Sequence, residues 1–148
     1  MSLTFLFKIL FGLIGCLIFL NWYFAGHIYN FLFVFISKDW YKVFLSEIKD
    51  KCEVLDIGIG TAKALSKNAV LIAEKGIKIC GIDINLNYIT HGKRLIKKQG
   101  LQKYVHFHCI SIYDEDLPKV ITQKFDAAYF SASFSLMPKP VEALKVCK

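Results

Sequence analysis

Charged side chains are absent from Ile9 to Ser37, a run of 29 residues built mainly from Leu, Ile, Phe and Val. A helix that crosses a hydrocarbon layer ~30 Å thick needs about 20 such residues. The pattern therefore predicts a membrane helix over roughly 3–22, with Trp22 and Tyr23 at an interfacial level. A second apolar segment follows over 28–36. The competing expectation is a cleaved signal peptide, since Lys8 precedes the apolar run. Ala25-Gly26 is the single candidate for a small-residue cleavage site, however, and the apolar run continues past it. Residues 1–36 are read as an uncleaved, single-pass membrane anchor. Trp40, Tyr41, Phe44, Leu45 and Ile48 then share one helical face, while Lys42, Glu47 and Lys49 fall elsewhere. That periodicity predicts an amphipathic linker helix within 37–51.

From residue 52 the pattern changes to short apolar runs alternating with amphipathic stretches. Cys52–Ile57 reads as a strand that enters Gly58-Ile59-Gly60-Thr61 directly. Ala62–Lys75 has helix-forming composition, with Thr61 as its expected N-cap and Gly76 just past its end. Ile77–Ile84 is a second strand. Asn85 is placed to cap a helix over Leu86–Gln99, which Gly100 ends. Tyr104–Cys109 and Phe125–Phe130 are the third and fourth strands, and Pro140 opens a last helix. Strands alternating with helices predict an α/β fold around a parallel sheet of about four strands with flanking helices over 52–148.

Charge orients this arrangement. The chain carries 19 Lys and Arg against 12 Asp and Glu, and 18 of those basic residues and all the acids lie beyond residue 36. Lys38, Lys42, Lys49 and Lys51 crowd the far side of the apolar run. Positive flanks stay on the cytosolic side, so the domain is expected to face the cytosol, where its positive excess favours anionic lipid heads. No basic stripe interleaved with aromatics is present, so nucleic acid is not an expected partner. Five Cys without a CxxC pair argue against a disulfide framework or a zinc finger. They read as buried free thiols in a reducing compartment.

The candidate chemistry lies in Val54-Leu55-Asp56-Ile57-Gly58-Ile59-Gly60-Thr61-Ala62. A strand ends in a glycine turn and a helix is expected at once. Glycines let a ligand approach the backbone, and a helix N-terminus offers free N–H groups to polar or anionic atoms. Asp83 closes the second strand 23 residues beyond Gly60. A carboxylate there is suited to the vicinal hydroxyls of a ribose, and Ile84 to an adenine face. The dinucleotide pattern G-x-G-x-x-G fails because Lys63 holds the third glycine position, and no P-loop is present. Asp56 is suited to bracing the loop or to meeting a cationic amino-acid moiety.

With VLDIGIGTAKAL, GIDIN and FDAAYFSASFSLMPKP in this order, the chain resembles the class I, Rossmann-like S-adenosylmethionine-dependent methyltransferases over about Cys52–Lys148. The resemblance implies S-adenosylmethionine as cofactor and methyl transfer to a small-molecule or lipid-like acceptor. It implies that Asp56, Gly58, Ile59 and Gly60 surround the methionine part, that Asp83 holds the ribose and that Ile84 flanks the adenine. After strand three the family often carries an acid toward the adenine amine; this sequence has Ser111, then Ile112, with Asp114 slightly later. Ser131, past strand four, falls near the transferred methyl. No general base is assigned, because in-line displacement depends largely on orienting two reactants. Asp126 reads as structural, and His106 and His108 as ordinary strand residues without a metal. The family's sheet has seven strands and four are placed, so the chain is expected to be a fragment, or to have its fourth strand covered by another polypeptide. A non-catalytic nucleotide-binding module is the second reading, and a nicotinamide-dependent oxidoreductase the third.

Overall fold

The computed structural model describes residues 12–15, 19 and 34–147. Its contacts divide the chain into two units, 1–35 and 36–148. In the first unit, residues 12–15 and 19 are helical and exposed. Most of the expected membrane helix over 3–22 and of the apolar segment over 28–36 lies outside the described residues. Among the described residues, no helix is long and apolar enough to cross a membrane.

Residues 34–47 form helix α1, which from Ile36 onward belongs to the second unit. Its inner face buries Tyr41 and Leu45 and half-buries Phe44. Trp40, expected on that face, is 49% exposed: the face centres on Tyr41 and Leu45, and Trp40 sits at its rim. Two side chains fasten the helix to its neighbours. Asn68 Nδ2 donates to the Lys38 carbonyl at 3.0 Å. Lys75 Nζ donates to the carbonyls of Leu45, Ser46 and Ile48, serving helix-end acceptors that have no partner inside the helix.

Four strands, β1 (Glu53–Ile57), β2 (Lys78–Asp83), β3 (Val105–Cys109) and β4 (Ala127–Tyr129), form one parallel sheet in the order β3-β2-β1-β4. Helix α2 (Ala69–Lys75) connects β1 to β2, and α3 (Leu86–Lys98) connects β2 to β3. The expected α/β class and parallel sheet are both present. β4 is shorter than the expected Phe125–Phe130. Asp126, just ahead of it, accepts from the Glu53 N–H at 2.8 Å and donates its own N–H to the Glu53 carbonyl at 2.8 Å, the structural role foreseen for it. The sequence pattern predicts no element between Cys109 and Phe125, yet a four-residue helix, α4 (Leu117–Val120), forms there with Pro118 in its first turn, where proline is tolerated. Helix α5 (Pro140–Val146) closes the described chain with Pro140 at its start.

Strand alternation sorts the core into two layers. One face carries Val54, Ile79, Val105 and Phe107, packed with Leu45, Leu65, Ile72, Ile89 and Ile96. The other carries Leu55, Ile57, Cys80 and Ile82, packed with Ile112, Leu117 and Ala143. Asp56 shares the first face with Val54, so a carboxylate enters an otherwise apolar layer. Of the described thiols, all free, Cys52 and Cys80 are buried, but Cys109 at the end of edge strand β3 is exposed, contrary to expectation.

Candidate functional site

The chain turns sharply where β1 ends. Gly58, Gly60 and Ala62 have φ of +77°, +58° and +53°. These left-handed values suit glycine and cost an alanine backbone strain. A left-handed Ala62 cannot belong to a right-handed helix, so the helix expected over Ala62–Lys75 does not begin there. A 3-10 turn (Leu65–Asn68) comes first, and α2 starts only at Ala69. Thr61 is not its cap; Asn68 holds that position, but its side chain accepts no capping hydrogen bond from the helix. The other end follows expectation: Gly76 has φ +64° and donates to the Ala73 carbonyl at 3.3 Å.

The loop is pinned from below and at its tip. Ile59 is buried and fills the space over Gly81, where an added Cβ would come within 2.4 Å of the Ile59 Cδ1. The N–H groups of Gly58 and Ile59 both donate to the Ile82 carbonyl, at 2.8 and 3.2 Å. The Gly60 N–H donates to Asp83 Oδ2 at 2.9 Å. The expectation of free N–H groups is thus corrected for Gly58, Ile59 and Gly60, which β2 consumes, and for Ala62, which donates to the Ile59 carbonyl at 3.1 Å. The expected juxtaposition of the glycine loop and Asp83, by contrast, is present. Asp83 Oδ1 accepts from the Asn85 N–H at 2.8 Å. A carboxylate offers about four lone-pair sites, so two remain on Asp83. Ile84 is 77% exposed beside it, an unpartnered apolar surface at the carboxyl end of β2.

Asp56 is 1% exposed. Its Oδ2 accepts from the Tyr41 hydroxyl at 2.6 Å, and its Oδ1 is buried without a partner. Desolvation pushes this carboxyl up from 3.8 to about 7; the Tyr41 hydrogen bond opposes the rise and the charge of Asp83 adds to it. Tyr41 is raised well above its usual 10.0, chiefly by burial and then by Asp56, so it keeps its proton and donates. Tyr129 of β4 completes the cluster, 4.9 Å from the Tyr41 ring and stacked on Phe44 at 4.2 Å. Burial pushes it up to about 12. The nearby Ser131 hydroxyl works against both rises.

Of the nine expected site residues, Asp56, Gly58, Gly60, Asp83, Ile84 and Ser131 gather at the carboxyl ends of β1, β2 and β4. Two side chains are committed to the core instead. Ile59 anchors the loop, and Ile112 is buried against the far face with Leu55, Ile57 and Ile82. Ser111 accepts from the Tyr113 N–H at 3.1 Å, holding the turn after β3. Ser133 donates to the Ile57 carbonyl and lies where a Gly58 Cβ would fall, 2.5 Å from its own Cβ. Gly58 is therefore required by close packing as well as by its φ. Sequence reasoning missed Tyr41 as a polar member of the site. A tyrosine on a buried helix face and a carboxylate in an apolar strand each need a partner, and that shared need was the available signal. His106 and His108 lie on β3, and among the described residues no cluster of three or more His, Cys, Asp or Glu is arranged to hold a metal.

A family model of the methyltransferase domain matches residues 54–148. The chain belongs to that family, as the resemblance of its glycine loop and strand-end acid implied. No curated protein sequence matches it. Among solved structures, a S-adenosylmethionine-dependent methyltransferase from Aquifex aeolicus aligns with a TM-score of 0.58 at 22% identity, over 72% of this chain and 55% of that one. A protein from Galdieria sulphuraria described as a putative sarcosine dimethylglycine methyltransferase aligns at 0.60 with 16% identity, over 75% and 40%. The [4+2]-cyclase SpnF aligns at 0.61 with 22% identity, over 74% and 39%. The chain spans about half or less of the length of these proteins, and the likeness establishes their common fold.

Proposed function

We propose that this chain is the cofactor-binding part of a S-adenosylmethionine-dependent methyltransferase that acts on a small-molecule or lipid-like acceptor. One observation carries the reading. The Gly60 N–H meets the Asp83 carboxylate at 2.9 Å, beside exposed Ile84, at the carboxyl ends of adjacent parallel strands. The residues fit the cofactor. Asp83 keeps two acceptor sites for ribose hydroxyls, Ile84 offers an apolar face to adenine, and buried Asp56 has an orphan oxygen for a cationic amino group. The space where a Gly60 Cβ would stand is open. The cofactor supplies a methyl group activated by a sulfonium; the chain's own residues bind and orient it.

The run from Ile9 to Ser37 and the lysines that follow support a membrane anchor in 1–36 with the domain on the cytosolic side. An anchored domain favours acceptors that reside at the interface. A second reading, a tethered binding module without methyl transfer, is kept by SpnF: the same fold bears the name of a cyclase, and fold alone does not fix a reaction. Lys63 stands against nicotinamide cofactors.

Calorimetry of the full chain in detergent with S-adenosylhomocysteine and with NADH tests the cofactor. Binding of the first alone is expected, and binding of NADH alone overturns the reading. Transfer of labelled methyl groups into a membrane extract separates enzyme from binding module. Resistance to carbonate extraction tests the anchor, which release into the supernatant would remove.

A further inference from the structure

Helix α1 lies outside the stretch matched by the family model, which begins at residue 54. It nevertheless places a polar atom inside the site. The Tyr41 hydroxyl is the hydrogen-bond donor to Asp56, at 2.6 Å, and both residues are nearly sealed from solvent. Packing fixes that hydroxyl. The Tyr41 ring lies against Tyr129, and α1 is held to the rest of the unit by Asn68 and Lys75. Opposite the hydroxyl, Asp56 Oδ1 has no partner. A buried carboxylate with one oxygen bonded and one bare is costly by itself, and it becomes favourable once a cation meets the bare oxygen.

We propose that Tyr41 is a positioning residue for cofactor binding: by donating to Oδ2 it favours the ionised form of Asp56 and fixes the carboxylate in place, leaving Oδ1 to accept from the ammonium of the cofactor's amino-acid part. This rests on the cofactor reading above. Helix α1 is then a component of the binding site as well as a linker, and the site is incomplete without it.

The groups that face Asp56 define its titration. Tyr41 comes from α1, Tyr129 from β4 and Asp83 from the end of β2, while Ser131, after β4, acts on the two tyrosines; Gly81, the sheet neighbour of Asp56, brings no side chain. The Tyr41 hydrogen bond lowers the Asp56 carboxyl, while burial and Asp83 raise it to about 7. Cofactor affinity that depends on ionised Asp56 is therefore full above pH 7 and falls as pH drops through it. Removing the hydroxyl removes the one stabilising influence, so the midpoint moves up.

The test is calorimetric affinity for S-adenosylhomocysteine from pH 5.5 to 8.5, with the full chain, its Tyr41→Phe variant and its Asp56→Asn variant. Wild type is expected to lose affinity below a midpoint near 7. Tyr41→Phe is expected to shift that midpoint up by about one pH unit or more, with unchanged far-UV circular dichroism. Asp56→Asn is expected to be weak and flat with pH. A Tyr41→Phe profile that overlays wild type overturns the proposal, because a purely packing role would leave the midpoint in place. If Tyr41→Phe fails to fold, the carboxyl carbon of Asp56 in the labelled wild-type chain gives the second readout. Saturating S-adenosylhomocysteine is expected to keep Asp56 ionised to lower pH, and an unmoved titration overturns the proposal. Folded wild type that binds no S-adenosylhomocysteine at any pH would instead overturn the underlying cofactor reading.

Discussion

Two strand-to-helix turns lie side by side at the carboxyl edge of the sheet, and they are built on opposite principles. The turn from β2 into α3 is short. Asp83 and Asn85 both fold back on the backbone, Asn85 Oδ1 accepts from the Asn87 and Tyr88 N–H groups at 3.0 and 3.4 Å, and the helix starts at once. The turn from β1 is long for its job. Three residues take left-handed φ, the helix is deferred to Ala69, and α2 has no side-chain cap. A connection needing only to reverse the chain would take the first form. The second spends backbone strain and an isoleucine anchor to hold a glycine loop against its neighbour. The comparison teaches that the long turn is shaped around what sits beside it, and that the short turn supplies the acid which completes it.

Breaking the anchor of the long turn should have the largest effect. Gly81→Val puts a branched side chain where Ile59 already sits, and overpacking of this kind costs about 3 kcal/mol. Urea denaturation should show that loss, and the double variant Gly81→Val with Ile59→Ala should recover part of it, since touching residues are not additive. Equal loss in single and double variants would mean that the loop is not held there. Next comes the joint between the turns. Asp83→Ala leaves the Gly60 and Asn85 N–H groups without their acceptor and removes the ribose partner. Affinity for S-adenosylhomocysteine should fall ten- to a hundredfold, about 1.4 to 2.7 kcal/mol. Unchanged affinity would detach Asp83 from the ligand.

The short turn was legible in the sequence and the long one only half so. Asn85 before a helical period, Gly76 and Gly100 after one, and Asp83 at its distance from Gly60 are local signals, and each appears where the pattern put it. Ala62-Lys63-Ala64-Leu65 has helix-forming composition, but Ala62 takes its left-handed φ because Ile59 and Gly60 are tied to β2, and composition carries no trace of that tie. A trace existed elsewhere. Gly81 interrupts an apolar strand, and glycine inside a strand marks the close approach of something else. Tyr41 was readable as buried but not as bonded, because its partner is 15 residues away on another element.

Asp56 separates stability from binding. Its carboxyl stands at about 7 in the folded chain against 3.8 ordinarily. Between those values the folded state retains a proton that the unfolded state has released, so stability falls as pH rises through the interval, and the loss is complete above 7. That deficit is on the order of 4 kcal/mol. Asp56→Asn keeps an acceptor for Tyr41 and removes the charge, at the cost of burying an amide N–H, about 1 to 3 kcal/mol. The variant should therefore be the more stable by about 2 kcal/mol at pH 8, with the advantage vanishing near pH 5, while it binds cofactor worse. Greater stability of wild type at pH 8 would mean that the ionised carboxylate has a favourable partner within the fold.

The smallest effect sharpens the contrast between the turns most directly. Asn85→Ala removes two side-chain hydrogen bonds at the start of α3 and nothing else, since Asp83 reaches the backbone N–H of residue 85, which alanine retains. Loss of an N-cap costs about 1 kcal/mol. Thermal or urea denaturation should register that cost, and affinity for S-adenosylhomocysteine should stay within twofold of wild type. If the cap also carried affinity, the short turn would be part of the binding surface, and the division of labour between a ligand-shaped turn and a helix-starting one would fail. The matching substitution in the long turn, Asn68→Ala, removes no cap, because Asn68 gives α2 none. The stability it loses should come mainly from the 3.0 Å bond to the Lys38 carbonyl, and so from the docking of α1, with a smaller part from the longer 3.5 Å bond to the Ala64 carbonyl.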